Sequence, residues 1–279
     1  MTITTRDQLI DAMGNNSSRI VIDKASIASQ TSASFSSLWR ATGQPGQGAI
    51  PTSVAVCNDT LLGGIVFTQQ TSPATSYIGI LESLSSNASQ TMEIHDRLVH
   101  MGGLSGTVAT AQTVGIDLDA LLATDDLDAR KGDANYSDVQ WWLEWYSATG
   151  SSVVSATVNV TYNDGTTGNL TAFNLSATRP ASHLIGLNNY IPASAAGKFI
   201  RGVVSVTLSA TTGTAGNFGV TATRYRAATF MPIANARFTS DWAACGLPEI
   251  TNNSCLMVIM MLSTTSTGTL RAAGKIIHG

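Results

Sequence analysis

The chain has 279 residues, of which 43% are hydrophobic and only 12% charged, with a formal net charge of −3. That is enough apolar material for a sizeable core and too little charge for a disordered polyelectrolyte. The 15 Lys and Arg residues are scattered, which argues against a phosphate-tracking basic surface, and the longest apolar run, residues 255–262, is far short of the ~20 that a membrane helix needs.

The first element predicted is a helix. Thr5 and Gln8 have capping-box spacing, Leu9, Ile10 and Met13 form a short apolar stripe, and Gly14 is a stop. No apolar signal-peptide core follows the start. Residues 26–37 are rich in Ser, Ala and Thr and read as an extended arm, so residues 1–37 are assigned as an N-terminal helix and arm. Trp39 then anchors a glycine-proline loop. The GQPGQG within it lacks phosphate-loop spacing, and Pro45 removes an amide that such a loop would need.

From residue 38 the pattern is β. Strands are predicted at 53–57, 61–69, 76–84 and 92–100, the last being ambiguous between strand and helix. Residues 38–124 form a β-rich region, and 125–137 a charged loop exposed to solvent. Beyond it, 138–279 carries the clearest period-two signal. In 139–146, Val139, Trp141, Leu143 and Trp145 share one face, while Gln140, Trp142, Glu144 and Tyr146 share the other. Residues 154–162 alternate as cleanly, and Asn163-Asp164-Gly165 closes a hairpin. Further strands fit 168–175, 198–208, 217–225, 255–262 and 269–277. The fold class expected is mainly β: an antiparallel β-sandwich, jelly-roll-like, with residues 38–279 also readable as one continuous domain.

Chemistry-bearing constellations are scarce. His95, His100, His183 and His278 do not fall at metal-ligand spacing, and Cys57, Cys245 and Cys255 form no CxxC pair, so reduced thiols are expected. Asp125, Asp126, Asp128 and Asp133 are interrupted by Arg130 and Lys131 and match no calcium loop. No nucleophile elbow occurs. The expectation is a protein with no catalytic residues, no metal and no cofactor. The run WWLEWY stands out, because an exposed sheet face should not be aromatic. One of its faces is core. The other is a second buried face, a subunit interface or a glycan-stacking patch, and Trp142 and Tyr146, with Trp39, are the candidate interface residues.

LWRATGQPGQGAIP, HDRLVHMGGLSG, VQWWLEWY, ATVNVTYNDGTTGNL, KFIRGVVSVTLSATTGTAGNFGVTATR and LSTTSTGTLRAAGKI resemble stretches of a family of structural virion proteins of tailed double-stranded DNA bacteriophages. The resemblance covers most of the chain from Leu38 onward, and no catalytic residue is carried over from it. It implies a virion component assembled in the bacterial host cytoplasm. Its partners would be itself, as a homo-oligomer such as a trimer, and other virion subunits such as the major capsid protein, with no nucleic acid and no membrane. A capsid decoration or cement protein is the role expected. A tail or head–tail protein, a jelly-roll major capsid subunit and a glycan-binding virion module remain open.

Overall fold

A computed structural model describes residues 3–124, 128–175 and 177–279. The chain is mainly β, with antiparallel sheets and a short N-terminal helix. In chain order the elements are α1 (Arg6–Asn15), β1 (Ser17–Lys24), β2 (Phe35–Ser37), β3 (Gly43–Gln44), β4 (Ala55–Val56), β5 (Ser76–Ser85), β6 (Gln90–Ser105) and β7 (Gln112–Asp117). There follow β8 (Val139–Trp145), β9 (Val154–Tyr162), β10 (Thr167–Asn169), β11 (Phe173–Leu175), β12 (His183–Gly186), β13 (Ile200–Leu208) and β14 (Asn217–Met231). The last strands are β15 (Phe238–Ser240), β16 (Glu249–Ile250), β17 (Leu256–Met261) and β18 (Leu270–His278).

The chain divides into two compact units, and neither is continuous in sequence. One takes Met1–Ala49, Asn58–Asp96 and Tyr225–Gly279; the other takes Ile50–Cys57 and Arg97–Arg224. Strands β6 and β14 each contribute residues to both.

In the first unit one sheet runs β15-β5-β18-β1-β3, with β16 also on β5. A second layer is built by β17 between β2 and the first half of β6. Apolar side chains that alternate with polar ones fill the space between. Ile20 and Ile22 of β1, Ile78 and Leu81 of β5, Met92 and Ile94 of β6, and Leu256 and Val258 of β17 are all buried there. Helix α1 has the capping box expected of it, with Gln8 N–H donating to Thr5 Oγ1 and Gln8 Oε1 accepting from Thr5 N–H. A helix this short is marginal alone. It docks through Leu9 and Ala12 onto Ile277 of β18.

Residues 17–24, which fall within the 1–37 segment read from sequence as an N-terminal helix and arm, are instead a strand inside this sheet. β1 pairs with β18 along its whole length, from Ser17 opposite Ile277 to Lys24 opposite Leu270. SSRIVIDK has a strand's alternation, and its two isoleucines are core residues at 2% and 1% exposure. Removing residues 1–37 would therefore strip a core strand rather than a detachable arm. Residues 61–69, expected to be a strand, make only an isolated bridge from Ile65 to Leu256. Residues 92–100 lie wholly within the strand β6 and are not helical.

In the second unit the layers are β10-β9-β13-β7, with β11 also on β9, and a sheet in which β8 lies between β14 and β12. Their facing side chains form one apolar core, including Val158 and Val160 of β9, Val203 and Val206 of β13, and Trp141, Leu143 and Trp145 of β8. The Asn163-Asp164-Gly165 turn joins β9 to β10, and Gly165 sits at φ 81°, a conformation open to glycine without steric cost. Each unit is thus a two-layered β-sandwich with a core of its own.

Candidate functional site

Most of the WWLEWY segment, Trp141 to Trp145, lies in strand β8, and a buried polar cluster surrounds it. β8 is paired on both sides. Phe218 to Arg224 of β14 run antiparallel to Trp145 to Val139, and Leu184, Ile185 and Gly186 of β12 lie opposite Glu144, Leu143 and Trp142. Its backbone is therefore internal to the sheet, and both of its side-chain faces are covered.

On one face, Val139, Trp141, Leu143 and Trp145 enter the apolar core. Trp141 Nε1 donates to the Ile200 carbonyl at 2.8 Å, and Trp145 stacks on Phe218 with ring centroids 5.5 Å apart. The other face is polar and equally closed. Glu144 is 1% exposed, and its Oε2 accepts from Arg97 Nη2 at 2.6 Å, Thr221 Oγ1 at 2.6 Å and Tyr146 OH at 3.2 Å. Arg97 Nη2 also donates to Tyr146 OH at 3.1 Å, and Arg97 Nε to His100 Nδ1 at 3.1 Å. Trp142 Nε1 donates to Thr223 Oγ1 at 2.9 Å. Beside this network Arg130, wholly buried, donates to the carbonyls of Cys57 at 2.6 Å and Arg97 at 3.0 Å.

The electrostatics follow from burial. For Arg97, desolvation pulls the pKa down, but the adjacent Glu144 carboxylate outweighs it and the net direction is up. The Tyr146 hydroxyl is pushed up by burial and then by Glu144, so it stays protonated and can donate. A buried carboxylate with three donors, one of them a guanidinium, meets the condition under which an ion pair survives in a core. The cluster ties β6, β8 and β14 to one another.

These positions correct the interface expectation. Trp142, Tyr146 and Trp39 are 5%, 6% and 1% exposed. They present almost no surface to a neighbour or a glycan. Trp39 lies under the glycine-rich loop, where its Nε1 donates to the Ala49 carbonyl at 2.8 Å. A Cβ built at Gly48 or Gly63 would fall within 2.1–2.4 Å of its ring, so glycine is needed at both places for close approach. The second aromatic face of β8 is intrachain core.

The histidines are dispersed. His95 Nε2 lies 2.9 Å from Glu93 and its ring packs edge-on to Tyr225. His278 bridges Ser18 and Ser76. Among the described residues no three His, Cys, Asp or Glu side chains are grouped to hold a metal ion. All three cysteines are buried thiols outside any disulfide, and burial pushes the Cys245 thiol up to about 11. In the charged loop, Asp125 and Asp126 lie outside the described residues. The carboxylates around it are engaged by cations: Lys131 Nζ is 2.5 Å from Asp128, and Arg201 lies 2.9 Å from Asp117 and 3.2 Å from Asp119. The burial of Arg130 corrects the reading of this loop as wholly solvated.

The remaining histidine, His183, is buried beside a cation. His183 of β12 is 3% exposed, with its Nε2 3.0 Å from Arg179 Nη1. Because the guanidinium must donate, Nε2 accepts and the ring proton resides on Nδ1. Burial, and next the Arg179 charge, lower the His183 pKa from 6.5 to about 4.

No protein-family model matches the chain, and no curated protein matches it. Among solved structures it aligns with the infectious bursal disease virus Gt strain at 10% identity and TM-score 0.17, covering 98% of this chain and 86% of that one. It aligns likewise with the infectious bursal disease virus VP2 subviral particle at 10% identity and TM-score 0.19, covering 98% and 84%.

Two outcomes are expected. Glu144→Gln, which removes the buried carboxylate that accepts from Arg97, Thr221 and Tyr146, should cost roughly 3–5 kcal/mol in urea unfolding. Adding Arg97→Met to Glu144→Gln should recover part of that loss, giving a coupling of about 1–3 kcal/mol; strict additivity would contradict the pair. For His183, the unfolded state binds the proton first as pH falls. The contribution to stability is therefore complete above pH 6.5 and is lost as pH drops towards about 4. The fall in urea midpoint between pH 7 and pH 4.5 should shrink in His183→Gln, and an unchanged fall would assign the acid sensitivity to carboxylates.

Proposed function

We propose that the chain is a structural component of a bacteriophage virion, most specifically a decoration or cement protein that self-associates and stabilises the particle. The observation that carries this reading is the direction in which its polar chemistry is spent. The polar side chains Arg97, Glu144, His100 and Arg130 are buried and bonded to one another or to backbone carbonyls. They stiffen a sandwich. The low overall charge favours contact with neighbours through neutral hydrogen bonds and apolar area, as protein interfaces require. The sequence resemblance to virion proteins of tailed phages points the same way. On this reading the protein has no catalytic activity, and its partners are copies of itself and other shell subunits.

Quantitative gel densitometry of purified particles from the phage that encodes the chain tests it. Hundreds of copies per particle are expected for a shell decoration. A few to tens would move the role to the tail or a vertex, and absence from particles would overturn the virion reading.

A further inference from the structure

Strand β1 contains Arg19-Ile20-Val21-Ile22-Asp23, which is its own complement when run antiparallel against a second copy. With Val21 opposite Val21, Arg19 faces Asp23 at each end of the pairing and Ile20 faces Ile22. Arg19, Val21 and Asp23 lie on the outer face of the sheet, with Val21 49% exposed, while Ile20 and Ile22 lie on the inner face. A second copy in this register would join charge to opposite charge outside and apolar to apolar inside.

The backbone is set for the same register. Ala25 N–H donates to Thr42 O at 3.0 Å, on the β3 side of the strand. By strand alternation the N–H and C=O groups of Asp23, Val21 and Arg19 point to that edge too. The opposite edge is taken up by β18 from Ser17 to Lys24, whereas β3 covers only Asp23 and Lys24. All three directly opposed pairs, Arg19 with Asp23, Val21 with Val21 and Asp23 with Arg19, would be of the hydrogen-bonded kind. Registers centred on Arg19 or on Asp23 would instead set like charges opposite each other, so the charges select the one centred on Val21.

What closes this edge is β3. Gln44 lies opposite Asp23 and Gly43 opposite Lys24, where Arg19 of a second copy would have to lie. Lys24 holds the segment in place. It is 1% exposed, and its Nζ donates to the carbonyls of Ala41 at 3.1 Å, Pro45 at 2.6 Å and Gly46 at 3.4 Å. Exposed edge strands are templates for pairing, and proteins cover them with short edge strands or loops.

We propose that β1 is a self-complementary edge through which two copies of this chain pair antiparallel about a two-fold axis, and that residues 41–46, fastened by Lys24, are the cap that must leave first. The contact is isologous, so each copy supplies both halves of every charge pair. It stands apart from the virion reading, because it is read in solution without particles.

Sedimentation of the full chain tests it. Lys24→Met, which removes the fastening, should raise the self-association constant of the chain by at least about tenfold. In that background Arg19→Asp should weaken the dimer about tenfold, since two attractive pairs become repulsive. Adding Asp23→Arg should restore it. If Lys24→Met fails to fold, Val21→Cys in the otherwise unaltered chain decides. Directly opposed strand positions lie within disulfide reach, so mild oxidation should link two copies through position 21 and not in Val66→Cys, an exposed control at 70%. A folded Lys24→Met variant that stays monomeric, a charge reversal without effect, or no preference for position 21 in oxidation would each overturn the proposal.

Discussion

A carboxylate in the middle of a doubly buried strand constrains everything built around it. Glu144 is flanked on β8 by Leu143 and Trp145, which point into the apolar core, and it cannot follow them without losing its hydration. It must lie on the other face and find donors there. Arg97, Thr221 and Tyr146 supply them from β6, β14 and the end of the WWLEWY run. Once that cluster is satisfied, the register of β8 against β14 and β12 is fixed, because a slip of one residue would drive Glu144 into the core and Trp141 and Trp145 out of it. The tryptophans contribute buried area, and the ion pair contributes the choice of which face they bury.

The same economy appears in the first unit. Asp96 is fully buried, and it accepts from Ser254 Oγ at 3.0 Å and from Cys255 N–H at 2.9 Å. Lys24 is fully buried and spends its ammonium on three carbonyls of one loop. In both units, scarce charges tie down backbone and neighbouring side chains, while abundant hydroxyls and amides satisfy turns locally, as Thr211 does for Gly213 and Asn58 for Thr60.

Local alternation was legible wherever one face of a strand is wet. Val154–Tyr162 matches its sequence reading at both ends, and the Asn-Asp-Gly turn and the Thr5 capping box follow from residue chemistry alone. Where both faces are buried, alternation vanishes. Glu-Ile-His-Asp-Arg-Leu-Val-His in β6 therefore read equally as helix or strand, and the second aromatic face of β8 read as an interface. Its actual covering, Arg97, Thr221 and Thr223, comes from strands 47 to 81 residues away in sequence, a distance no local pattern spans. β1 was hidden differently. Its alternation is intact, but the Ser-rich stretch after it drew the whole N-terminal segment into an arm. The units, each assembled from separated segments, could not be read from a composition shift along the chain.

The claim on which the account most depends is that β8 is core on both faces. Unfolding of Trp141→Ala and Trp142→Ala, each followed by urea denaturation and by sedimentation of the folded variant, tests it most directly. Two buried faces predict a loss of roughly 3–5 kcal/mol for both substitutions, with no change in self-association for Trp142→Ala. A Trp142→Ala variant that keeps full stability but loses self-association would show that this face belongs to a neighbour, and would contradict the account.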